Sequence, residues 1–581
     1  VGGSVSNTRG FVGAGFDSTG VATVTGAEST WTSNGELFVG YDGTGSLSIN
    51  SGGKVSSTNG LVGSNPLGVG TVTLAGSGSE WSNSGSLSVG FFGEGTLTVE
   101  AGARVSNTSG TIGGVAGSTG TATVRGAGST WANGDFLRVG DEGEGTLRIL
   151  SGGTVTNGDG RVAAGPGSTG EVVVRGAGST WTNLATLNVG SIGTGTLSIE
   201  MGGRVTNTSA SIGSTSSADG TVTVTGAGST WVNSGELRVG SSGSGELSIQ
   251  AGGSVASASG VVAATGSSVG RVTVTGNGSN WAINGRLSIA GNVASGTNGG
   301  TAFVNIQPGG RIDVAQDITL FPNSQLTLEG GTLATTAINF EGGGQINWTS
   351  GTLHVGVYEG NLTNPAVGTL APGRSAGSTV ILGNYTQQAG ATLAIEIGGT
   401  ATATQFDFVD VTGTAILGGE LQLELINDFV PGPMDQFIIL NANNLLSFFA
   451  NIGNGQRLET LDGRASFAVH YGPTSVFDPD QVVLTDFLPL LPGDYNQNGV
   501  VDATDYSLWR NNVGSPTSLA NDDTPGVADD DYTRWRANFG RSIGGSASAT
   551  PGTLGDFAPE PSGMILLLAA IAGLTFVRPR C

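Results

Sequence analysis

The residues best spaced for chemistry lie near the end of the chain, in "GDYNQNGVVDATDYSLWRNNVG". Counting from Asp494, oxygen-bearing side chains fall at loop positions 1, 3, 5, 9 and 12: Asp494, Asn496, Asn498, Asp502 and Asp505. Gly499 stands at position 6, where such a loop turns sharply, and Val500 at position 7 offers its backbone carbonyl. Hard cations take oxygen donors, so the spacing predicts Ca2+ as a cofactor, with Asp502 acting through water. Asp505, in place of the usual glutamate, opens a predicted helix, "YSLWRNNV". The plainer reading of the same residues is an Asx-rich turn with a helix cap.

A second set with chemical potential is aromatic. Trp31, Trp81, Trp131, Trp181, Trp231 and Trp281 recur every fifty residues without insertion or deletion. A weaker period of twenty-five lies inside the fifty: "TATVRGAGSTWANGDFLRVG" at 121–140 aligns without gaps on "TLRILSGGTVTNGDGRVAAG" at 146–165. Val124 then falls on Ile149, Gly128 on Gly153 and Leu137 on Val162, while Trp131 falls on Thr156. With Val155 facing inward, strict alternation turns the tryptophans outward, and stacked indoles would make a platform for polysaccharide rings. The competing reading places each indole at a corner or bulge, covering the end of the core.

Nucleophilic or acid–base constellations are not evident in the sequence. The only histidines, His354 and His470, sit in ordinary strand contexts, and Asp407 and Asp410 read as solvated strand or loop carboxylates. No Gly-x-Ser-x-Gly, phosphate loop or metal-ligand helix occurs. The chain therefore reads as non-enzymatic.

The elements that must carry these residues follow from composition. Glycine supplies 105 of 581 residues, only 11% are charged, and Val, Leu and Ile alternate with Ser and Thr in short runs. That pattern is all-β with many corners. Val24, Leu74, Val124, Val174, Val224 and Val274 form one apolar column, Leu37 and its fifty-residue equivalents a second, and Gly26 with its equivalents a corner. A fifty-residue period also suits a kelch propeller. The half-repeat, strands of four or five residues such as "TLSI", and Gly-Gly pairs continuing at Gly309-Gly310, Gly330-Gly331 and Gly418-Gly419 favour a solenoid instead. The prediction is a right-handed parallel β-solenoid, its six fifties stacking into a rod of roughly 55–60 Å.

The net charge of −22, with Lys54 the only lysine, leaves no basic face for nucleic acid. Cys581 is the sole cysteine, so no intrachain disulfide forms, and a zinc or thiol site is not expected. The chain starts at Val1 in mid-repeat, "VGGSVSNTRGFVG" matching "SGGKVSSTNGLVG" at 51, so an N-terminal piece with any signal peptide is expected upstream.

Residues 1–300, with their "GxGxLxIxxGGxV" and "VxGxGSxW" patterns, resemble the repeats of autotransporter passengers and PEP-CTERM proteins. The resemblance implies a surface-exposed β-helix and no defined reaction. In 301–487, "LAPGRSAGSTVILGNYTQQAGATLAIEIGG" is similar to the distal passenger region of autotransporter-like proteins, which implies continuing solenoid and a cap. Residues 488–542 carry a duplication, Asp505-Tyr506-x-x-Trp509-Arg510 recurring as Asp531-Tyr532-x-x-Trp535-Arg536. One loop plus helix, twice, resembles a dockerin module, with the two tryptophans expected in its core. Its second loop, "NDDTPGVADDD", is one residue short and carries Pro525 where a ligand belongs. In dockerins positions 10 and 11, here Ala503 and Thr504, help select a cohesin partner, and the alanine weakens that expectation.

After a linker at 543–558, residues 559–581 hold Pro559-Glu560-Pro561, a fourteen-residue apolar run from Met564 to Val577, and then Arg578 and Arg580. The run is short of the roughly 20 residues of a stable span, and the arginines would hold that end on the cytoplasmic side. The order resembles a PEP-CTERM sorting signal. It implies a C-terminal hydrophobic sorting helix, transient inner-membrane contact, cleavage by an exosortase-type protease, and release to the cell surface, outer envelope or matrix of a Gram-negative bacterium. Three functions are compatible with this reading: an exported structural repeat protein, an adhesin or polysaccharide-binding protein using the tryptophans, or a carbohydrate-active enzyme whose catalytic part lies upstream.

Overall fold

A computed structural model of the chain describes residues 2–522 and 524–542. The linker at 543–558 and the sorting signal, with Pro559, Glu560, Pro561, Arg578 and Arg580, lie outside the described residues. None of the described helices is long and apolar enough to cross a membrane. The chain divides into two compact units, one of residues 1–374 and 379–391, the other of 375–378 and 392 onward.

The first unit is a parallel β-solenoid. Each coil of the repeat region has a long strand and two short ones: Thr119–Arg125, Thr130–Asn133 and Phe136–Val139 in one coil, Glu144–Leu150, Thr154–Asn157 and Asp159–Val162 in the next. The long strand has seven residues, not the four or five expected. Alternation decides which face each residue takes: Val124 and Ile149 are fully buried, while the intervening Thr123 and Arg148 are partly exposed. The Gly26 column turns the corner with positive φ, 95° at Gly26 and 86° at Gly126, where a Cβ would be strained.

Coil stacking is in register but not at a uniform step. Long strands pair at twenty-five residues, Val124 beside Ile149. The tryptophan strands pair Trp131 with Val155 on one side and Val105 on the other. Third strands pair Leu137 with Gly160 and Val139 with Val162. The corners thus differ in length between the two half-repeats, and the sum is restored at the next long strand. The gapless alignment, which set Leu137 on Val162, is one residue out in the second strand and two in the third. A one-residue slip exchanges the two faces.

Parallel pairing does not stop where the fifty-residue beat is lost. Val269–Thr275 pairs with Thr301–Ile306, then Val304 with Leu326 and Leu326 with Ile346. The second unit begins with parallel pairs, such as Leu393 beside Leu421 and Val409 beside Leu440. It then changes direction: Gln481–Pro489 runs antiparallel to both Phe437–Ser447 and Ala465–His470. Its last described part holds the two helices, α1 (Ala503–Asn512) and α2 (Asp529–Asn538).

Candidate functional site

The helical module is built by exchange between its two halves. Leu491, Tyr495, Val501, Trp509, Val527 and Trp535 form its core. Trp509 donates its indole N–H to the carbonyl of Ala528 at the start of α2, and Trp535 donates to the carbonyl of Asp502 at the start of α1, both at 2.8 Å. Val501 donates to Arg541 O while Val527 donates to Ser515 O. Both tryptophans are core residues, as the duplication implied.

The first loop winds around its own carboxylates. Asp494 is 1% exposed and accepts from the amides of Asn498 and Gly499, at 3.1 and 2.8 Å. Gly499 makes the turn with φ 85°. Asp505 is fully buried and accepts from Asn496 N at 3.0 Å and from Asp502 N at 2.9 Å. Asp502 caps α1 by accepting from Thr504 N at 2.7 Å. Asn496, Asn498 and Val500 stand at the open side of the loop, and Ala503 and Thr504 are exposed at the first turn of α1. Burial pushes the Asp505 carboxyl up in spite of its amide donors, and the charges of Asp494 and Asp502 add to that push.

These six residues are brought together, and every donor they offer is oxygen. Among the described residues, no three carboxylate, imidazole or thiolate groups gather closely enough to hold an ion by themselves. A cation here therefore needs the amide oxygens of Asn496 and Asn498 and the Val500 carbonyl beside the carboxylates, a set suited to Ca2+ rather than to softer metals.

The second loop is arranged differently. Asp522 and Asp531 have fully buried side chains, and the guanidinium of Arg534, 18% exposed, pairs with both. Thr524 Oγ1 donates to Asp522 Oδ1 at 2.8 Å, and Asp531 accepts from Ala528 N at 2.7 Å. Burial raises the Asp531 carboxyl and the neighbouring Asp522 adds to that push; at Asp522 burial is outweighed by the Thr524 donors, the Asp531 carboxyl and the Arg534 guanidinium, which hold it below the usual range. By the helix alignment Arg534 takes the place of Leu508, which packs against the core.

The tryptophans of the array do not form an outward platform. Trp81, Trp131, Trp181, Trp231 and Trp281 are 0% exposed, and Trp31 is partly buried. Because Trp131 stacks on Val155 rather than on Thr156, the indole shares the inward face of the valine. Each indole N–H is satisfied inside: Trp131, Trp181 and Trp231 donate to Asn107, Asn157 and Asn207 of the preceding coil at 2.6–2.7 Å. Those asparagines in turn donate to Asn133, Asn183 and Asn233. The buried asparagine two residues after Trp81, Trp131, Trp181 and Trp231, and after Val105, Val155 and Val205, is the signal that sequence reading missed.

His470 bonds Thr485 at 3.0 Å and lies edge-on to Phe477, and His354 is paired in register with Ala334 and Ala371. Asp410 accepts from Asn441 at 2.9 Å. Asp407 corrects the expectation of a solvated carboxylate. It is 2% exposed and accepts from Gly377 N at 2.6 Å and Glu396 N at 2.9 Å. Burial, with a smaller push from Glu396, takes its pKa up to about 7.

The fold defines a parallel β-solenoid repeat protein that also carries a two-helix module. No protein-family profile matches the chain, and no curated protein does. Among solved structures, one similar chain is the TibC-catalyzed hyper-glycosylated TibA fragment. It is 17% identical over 60% of this chain and 98% of that one, with a TM-score of 0.36. So loose a superposition says nothing about what this chain does.

Proposed function

We propose that this chain is an exported, non-enzymatic structural repeat protein of the cell surface or extracellular matrix, delivered through its PEP-CTERM-like tail by an exosortase-type protease. The observation that carries the reading is the filled interior of the array. Valine, leucine, tryptophan and asparagine columns close on one another coil by coil, and the outward positions are largely Ser and Thr. Each coil buries its apolar face only against its neighbours, so the sequence is spent on length rather than on a cleft. The test is surface labelling of intact cells expressing the full-length gene. Substituting Pro559, Glu560 and Pro561 by alanine should retain the protein at the inner membrane; unchanged surface display would sink the sorting reading.

The helical module is read as a dockerin-like unit that takes one Ca2+ in its first loop. Asp494, Asn496, Asn498, Val500, Asp502 and Asp505 would hold the ion, which supplies the positive charge that the buried Asp494 and Asp505 lack in the protein itself. Chelation should lower the melting temperature of the module in the full chain, and Asp494→Ala should reproduce that loss. No shift in either would remove calcium from the account.

A further inference from the structure

A duplicated calcium module is expected to take two cations, one per loop, but the residues of the second loop do not fit one. Its eleven residues replace the middle of the ligand run with Thr524 and Pro525. Its two fully buried carboxylates, Asp522 and Asp531, already face a common positive group, the Arg534 guanidinium. Thr524 Oγ1 bonds the same Oδ1 of Asp522 and lies 3.3 Å from Oδ1 of Asp531. Two buried carboxylates this close cannot both stay ionised without a cation between them. A guanidinium meets that need with several donors in a fixed fork and never loses its proton.

We propose that Arg534 is the resident cation of the second loop, so that this half of the module is held together by a side chain instead of a metal. The inference goes beyond the calcium reading of the first loop and does not depend on it. In the first copy the same helix position is Leu508, which cannot neutralise anything, and the carboxylates there have no basic partner among the described residues. The second loop therefore meets its electrostatic problem with a side chain, and it adds no metal to the stoichiometry of the full chain.

The test is a calcium titration of the chelator-stripped full chain, read together with hydrogen exchange of the peptides covering 515–541, on wild type, Asp494→Ala, Arg534→Gln and Arg534→Lys. Wild type should take up one equivalent, and Asp494→Ala should abolish it. Arg534→Gln should either speed exchange across α2 by roughly tenfold, the equivalent of about 1.4 kcal/mol, or keep its protection by admitting a second calcium. Arg534→Lys should recover part of the protection, since it keeps the charge and loses the fork. Two equivalents in wild type, an equivalent surviving Asp494→Ala, or Arg534→Gln with one equivalent and unchanged exchange would each overturn the proposal. A wild type that binds no calcium, with exchange still accelerated by Arg534→Gln, would refute the first-loop reading while agreeing with this one.

Discussion

The coils between residues 19 and 289 and the helical module from 491 to 541 both carry polar groups into their interiors. In the coils those groups are neutral. Trp31, Trp131, Trp181 and Trp231 donate to an amide oxygen one coil back and Trp81 and Trp281 to a serine hydroxyl there. Asn107, Asn157 and Asn207 each pass a further bond to the asparagine of the tryptophan coil. In the module they are carboxylates, Asp494, Asp505 and Asp531 among them, each 1% exposed or less. A neutral pair keeps its bond at any pH and salt, whereas a buried anion is tolerable only with a counter-charge or a proton. The interior of the array is thus indifferent to pH and salt, whereas the interior of the second unit answers to ions and protons.

The strongest test of that contrast is Trp131→Ala. It removes the largest side chain of its coil and leaves Asn107 Oδ1 without its indole donor, and it should cost about 3–5 kcal/mol in chemical denaturation. Exposed Thr or Ser positions on the same strands should stay within about 0.5 kcal/mol. Next comes pH. A carboxyl whose folded pKa lies near 7, against 3.8 for the free group, favours folding only while protonated. Its contribution is full below about pH 4 and falls as pH rises to about 7, by up to roughly 4 kcal/mol. Asp407→Asn should remove that slope from the melting profile of the second unit; an unchanged slope would mean the burial of Asp407 is relieved in solution. Gly160→Val should come third. A Cβ there lies 2.1 Å from Asn183 Oδ1 and 3.0 Å from Leu187, and crowding of this kind costs about 1–3 kcal/mol. The smallest effect expected is from Asp502→Ala, about 1 kcal/mol for a lost helix cap. A calcium titration of that variant should also show weaker binding, whereas no change in either would detach the cap from the loop.

Much of the solenoid was legible because its long strands keep a constant step. Val24 and Leu37 with their equivalents, and the Gly26 corner, are buried or turned as their columns implied. The second and third strands were not legible from a gapless alignment. Their corners lengthen in one half-repeat and shorten in the other, and an offset of one residue is enough to send an indole to the wrong side. The two-helix core around Trp509 and Trp535 could be read from the duplication, because identical spacing on two helices brings identical faces together. Arg534 could not be, since a cation that neutralises buried acids looks in sequence like any surface arginine on a polar helix. Asp407 was missed for a similar reason: what buries it is the turn at 375–377, some thirty residues away in the chain.

The third strands pair Leu87 with Gly60 and Gly110, and Leu137 with Gly110 and Gly160, so bulky and vacant coils alternate. A methyl group at Gly60 would lie 2.5 Å from the Trp81 ring. Adding or losing one coil would set two bulky layers face to face, or leave two hollow ones with a void between them. Adding or losing a pair preserves the alternation. Recombination can therefore lengthen or trim this array only by whole pairs, and the unbroken fifty-residue spacing is the hereditary trace of that steric parity.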